Sequence, residues 1–140
     1  MKIVLAADGS KYTKKALAFL VTHEGLASSA DEVIVVQVQP AVTPRVRSML
    51  GAATVQAYHR EEAEKVLAPI GKFLARHKIS YRTTWSVGSP STEIVKVALR
   101  EGAHMIVMGT HGHGLLGRAI MGSVAQRVVA DADIPVLLVK

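Results

Sequence analysis

The tightest constraint on the fold is an alternation that runs the length of the chain: strand-length apolar segments separated by stretches of helical periodicity. Ile3 to Ala7, Val33 to Val38 and Ile134 to Val139 are short aliphatic runs, His104 to Met108 is a fourth such segment, and Ile79 to Val87 alternates with period two. Between them, Ala16, Leu17, Leu20 and Val21 recur at helical spacing, as do Ile94, Val95, Ala98 and Leu99. Thr54 to Lys78 carries Val55, Tyr58, Val66, Leu67, Ile70, Phe73 and Leu74 on one stripe, and Gly122 to Ala130 reads as the last helix. Pro69 and Gly71 predict a kink or break in the long helix, because proline removes a hydrogen bond and crowds the preceding turn. Pro40 to Ala53 lacks periodicity and is expected to be a mobile loop.

Continuous apolar strands that alternate with amphipathic helices cannot pair as hairpins; they need crossovers, and right-handed crossovers produce a parallel sheet covered on both faces. The expected fold is therefore α/β: one open, doubly wound, Rossmann-like parallel sheet of five strands in a single domain spanning residues 1–140. In such sheets ligands bind beyond the carboxyl ends of the strands where strand order reverses, which directs attention to the loops after strands one and four.

Composition narrows the function. No apolar run approaches the roughly 20 residues of a membrane span, Ile3 to Ala7 is too short for the core of a secretory signal, and there is no cysteine; the default compartment is the cytoplasm. The net charge is +6, but the basic residues are spread with no run longer than a pair and aromatics are 4%, so a nucleic-acid partner is not expected. His104, His111 and His113 lack carboxylates or thiolates at ligand spacing, and no protein-held metal is expected.

Five of the 11 glycines fall between Gly109 and Ser123, at the end of the fourth strand. Glycine lets backbone N–H groups approach a ligand closely, and the helix beginning near Gly122-Ser123 presents further N–H groups; together they suit a phosphate. A flexible turn with Ser123 as helix cap is the plain alternative. The segment is not a Walker loop, since no lysine lies between Gly109 and Ser123, and its glycines follow strand four rather than strand one.

The spacing Gly109, two residues, Gly112, nine residues, Gly122-Ser123 resembles the glycine motif of the nucleotide-binding branch of the universal stress protein family. Asp8 after strand one and Ile134-Pro135-Val136 near the end extend the resemblance from about Lys2 to Val139. It implies the adenine nucleotide alpha hydrolase-like form of the fold and a stress-response regulator or protectant that binds ATP, or ADP or AMP, with magnesium carried on the phosphates. By resemblance, Asp8 accepts hydrogen bonds from ribose hydroxyls, the backbone of Val38 meets the adenine, and Met108 and Gly109 line base and ribose. His111 and Gly112 face the phosphates, and Gly122, Ser123 and Val124 donate to them. Ala125 replaces a hydroxyl residue found in many nucleotide-binding members, so AMP or ADP is expected to compete with ATP.

The resemblance also implies a homodimer through the C-terminal strand, Ile134 to Val139, at the sheet edge. Hydrolysis is expected to be slow or absent, because only His111 or His113 offers a nearby base and Arg118 a nearby cation. A phosphohydrolase or nucleotidyl transferase on the same fold is the alternative, as is a member that works through protein contacts without nucleotide.

Overall fold

A computed structural model describes residues 1–23, 25–28, 30–112 and 121–140. His113 and Arg118, named above in the glycine-rich loop, lie outside the described residues.

The elements are β1 (Lys2–Ala6), α1 (Lys11–Thr22), β2 (Glu32–Gln39), α2 (Pro44–Leu50), α3 (Ala52–Arg76), β3 (Ser80–Val87), α4 (Pro90–Glu101), β4 (Met105–Gly109), α5 (Ser123–Asp131) and β5 (Val136–Val139). All strand pairs are parallel, and the order is β3-β2-β1-β4-β5. The expected five-stranded, doubly wound sheet is thus the one observed. Strand order reverses between β1 and β4, and β5 forms an edge.

Alternate residues of the central strands feed two cores. Ile3, Leu5, Val33, Val35 and Val107 pack with Leu17 and Leu20 of α1 and Leu67, Ile70 and Leu74 of α3. Val4, Ile34, Val36, Ile106 and Met108 pack on the other face with Ile94, Val97 and Ala98 of α4 and Ala125 and Val128 of α5. Strands buried on both faces have no polar side to show, which is why they read as unbroken apolar runs.

Several local expectations change. The segment Pro40 to Ala53 is not a plain loop, since it contains α2, which the Thr43 hydroxyl caps by accepting from the Val46 N–H at 3.3 Å, with Pro44 in the first turn. None of its residues is buried, so it carries no apolar periodicity to reveal it. Pro69 does not break α3, which runs through it as one 25-residue helix. The buried stripe Val55, His59, Ala63, Leu67, Ile70, Gly71 and Leu74 continues on both sides of Pro69, and packing along that stripe outweighs one lost hydrogen bond. Tyr58 lies off this stripe and is exposed. At Gly71 the helix passes close to β3: a Cβ there would stand 2.9 Å from the Tyr81 hydroxyl.

Leu99 does not belong to the buried face of α4. It is 81% exposed, because the buried positions Ser91, Ile94, Val97 and Ala98 leave it more than a quarter turn off the stripe. β3 is an edge strand whose first four residues are exposed, so its alternation is only partly expressed as burial. Arg82 of β3 ties its surroundings together, donating to Glu32 of β2 and, at 2.5 Å, to Glu101 of α4. The Arg82 guanidinium hydrogen-bonded to Glu101 holds that carboxyl below its ordinary value.

Candidate functional site at the strand-order reversal

β1 ends at Ala6, and the chain turns through Asp8 and Gly9 into α1. Gly9 has φ +80°, a conformation costly for residues with a Cβ, and it permits the sharp reversal. Ser10 occupies the N-cap position of α1, but its side chain makes no capping bond, and Thr13 does not cap the helix either. Thr13 instead engages Asp8 in both directions: its hydroxyl donates to Asp8 Oδ1 at 2.9 Å and accepts the Asp8 N–H at 3.1 Å. The Ser10 N–H also donates to Oδ1 at 2.9 Å. Two donors on one oxygen lock the carboxylate rotamer and turn Oδ2 toward Gly112, where a Cβ would stand 2.7 Å away.

On the β4 side Thr110 joins three elements. Its N–H donates to the Val139 carbonyl of β5 at 2.9 Å, and its own carbonyl accepts the Gly122 N–H at 2.6 Å, which seats the start of α5 beside the end of β4. The Thr110 hydroxyl lies 2.8 Å from His111 Nδ1, and the His111 ring packs against Tyr12 with centroids 4.9 Å apart. Gly109 is required by the same approach, because a Cβ on it would collide with Tyr12 Cβ. Gly122 is the N-cap of α5, and the first N–H to bond back within that helix is that of Gln126, to the Gly122 carbonyl at 3.0 Å. By helix geometry the N–H groups of Ser123, Val124 and Ala125 have no intrahelical acceptor.

These parts enclose a cleft of about 390 Å³. Asp8, Val38, Met108, Gly109, His111, Gly112, Gly122, Ser123 and Val124 all line it, so every residue proposed from the motif is brought to one place. Its apolar wall comes from Val36 and Val38 of β2, Ile94 of α4 and Met108 of β4, and its polar end from Asp8, Thr13, Thr110, His111 and Ser123. A flat apolar slot that leads to a fixed carboxylate, and then to glycine backbone and a helix N-terminus, suits a ligand with an apolar ring, hydroxyls and an anionic end. Sequence reading passed over Thr13, Thr110, Pro90 and Ile94, which also line the cleft. Thr13 carries a signal, a hydroxyl five residues after Asp8; Pro90 and Ile94 arrive from a distant helix and carry none.

Fold and site together define a doubly wound α/β domain with a ligand cleft at its switch point. The Universal stress protein family profile matches residues 1–140, and the chain belongs to that family. It is 37% identical over 142 residues to a Thermus aquaticus protein named "Universal stress protein in QAH/OAS sulfhydrylase 3'region", covering 99% of this chain and 97% of that one. Among solved structures it is similar to MJ0577 of Methanocaldococcus jannaschii, with 31% identity, a TM-score of 0.85, and coverage of 99% and 94% of the two chains. The universal stress protein of Archaeoglobus fulgidus, solved in complex with dAMP, shares the fold at 24% identity and a TM-score of 0.73, with 100% and 98% covered.

Proposed function

We propose that this universal stress protein binds an adenine nucleotide, ATP or its ADP and AMP counterparts, in the switch-point cleft, and acts as a nucleotide-responsive regulator or protectant with slow or no hydrolysis. The observation that carries the reading is the Asp8 carboxylate, locked by Thr13 and Ser10 and turned onto Gly112. It is a hydrogen-bond acceptor for ribose hydroxyls set directly beside a glycine backbone suited to phosphates. The complex of the Archaeoglobus fulgidus protein with dAMP supports the choice of an adenine nucleotide.

In this reading the adenine lies against Val38, the base and ribose against Met108 and Gly109, and the phosphates by His111, Gly112, Gly122 and the N–H groups of Ser123 and Val124, the Gly122 N–H itself being held by the Thr110 carbonyl. Magnesium would arrive on the phosphates and neutralise part of their charge. Rapid phosphoryl transfer needs charge compensation and a positioned acceptor, and the segment from Gly109 to Ser123 contains no lysine. The half-buried side chains of β5, at the open sheet edge, support a homodimer paired through that strand.

Calorimetry with ATP, ADP and AMP tests the binding, and absence of heat and of thermal shift at millimolar nucleotide would overturn it. Gly122→Val is the matched variant. Its φ of −71° and ψ of 160° suit valine, so the fold should persist while the added bulk abolishes binding. Turnover of many ATP per second, lost in His111→Ala, would reassign the protein as a phosphohydrolase.

A further inference from the structure

α1 breaks a rule that helices ordinarily obey. Its first turn carries no acidic residue, and Lys11, Lys14 and Lys15 crowd the end where the helix dipole already disfavours positive charge. Lys11 and Lys15 are also a like-charged pair at i,i+4, which is unfavourable on a helix surface. Both ammonium groups nevertheless converge on one ring, each 5.3 Å from the centroid of Tyr12. Among the described residues no carboxylate pairs with either of them. Local rules broken without local compensation point to a position shaped by function.

The residue whose ring they share packs on two residues that line the cleft. Tyr12 is the residue against which Gly109 closes, and its ring packs on His111, which lines the polar end. None of the described residues that line the cleft is a lysine or arginine, and Ala125 brings no hydroxyl. Backbone N–H groups there can hold one phosphate group, but a triphosphate brings more negative charge than neutral donors compensate.

We propose that Lys11 and Lys15, gathered over Tyr12 beside His111, hold the terminal phosphates of a nucleoside polyphosphate, so that the cleft takes ATP in preference to AMP. The inference rests on the nucleotide reading of the cleft and adds to it the residues that sense phosphate chain length. It also reverses the expectation from Ala125, because the charge comes from α1 instead of from a hydroxyl on α5.

The test is calorimetry on the full chain with ATP, AMP and inorganic tripolyphosphate, using wild type, Lys11→Ala/Lys15→Ala, and Lys14→Ala as a control of equal charge type that does not reach Tyr12. Wild type should prefer ATP to AMP. The double variant should lose about tenfold in ATP affinity and far less for AMP, as expected when charge-assisted contacts to phosphate are removed. Lys14→Ala should lose about twofold or less, through screened long-range charge alone. Equal wild-type affinity for ATP and AMP, or a double variant no worse than Lys14→Ala, would overturn the proposal while leaving nucleotide binding intact. If no adenine nucleotide binds at all, the reading of the cleft fails instead. The lysine pair then stands only if tripolyphosphate binds wild type and not the double variant.

Discussion

Asp8 and Gly112, from loops more than 100 residues apart, meet so closely that a Cβ on Gly112 would lie 2.7 Å from Asp8 Oδ2. Gly112→Ala should therefore act on Asp8. The carboxylate cannot swing away cheaply, since Oδ1 is held by the Ser10 N–H and the Thr13 hydroxyl. The expected result is a loss of about tenfold in AMP affinity, the worth of one disturbed charge-assisted bond. Calorimetry reads the affinity, and unchanged circular dichroism assigns the loss to the site.

Thr13→Val keeps the shape and removes the hydroxyl. Because Thr13 is 4% exposed and both donates to and accepts from Asp8, the variant removes two part-buried hydrogen bonds from Asp8 at once. A stability loss of about 1–3 kcal/mol is expected, measured by urea unfolding, with weakened nucleotide binding beside it.

The Arg82 clamp predicts the acid limb of stability. Glu101 has its folded pKa lowered by the hydrogen bond from Arg82. Its contribution is therefore complete above the unfolded value of about 4.3 and is lost as pH falls through the lower folded value. Glu101→Gln should be less stable than wild type at neutral pH, and the gap should narrow as pH falls below the unfolded value and the wild-type carboxyl protonates. Thermal melts across this range check it, and a gap independent of pH would show that charge is not the cause.

At β5, Leu137 packs half-buried against the core that includes Ile3 and Leu5, beside an unpaired backbone edge. Light scattering should find a dimer at micromolar concentration, and Leu137→Asp should shift it to monomer. Melting the variant under dilute conditions separates loss of the partner from damage within one subunit.

Element type and order could be read from the chain alone, because a strand buried on both faces must be apolar throughout and a covering helix must carry a stripe. These are local demands, written within five to ten residues of sequence. The glycine spacing from Gly109 to Gly122 was legible for a similar reason, since close backbone approach excludes side chains wherever it occurs. Tertiary structure decided the rest. Local rules break α3 at Pro69, yet packing on both sides carries the helix through; apolarity puts Leu99 inside, yet the phase of Ile94, Val97 and Ala98 leaves it outside. That Asp8 meets Gly112, and that Tyr12 packs on His111, depends on the β1 and β4 turns meeting across the sheet. Such meetings are settled by strand order, which is a property of the whole packed chain and is written in no single segment of it.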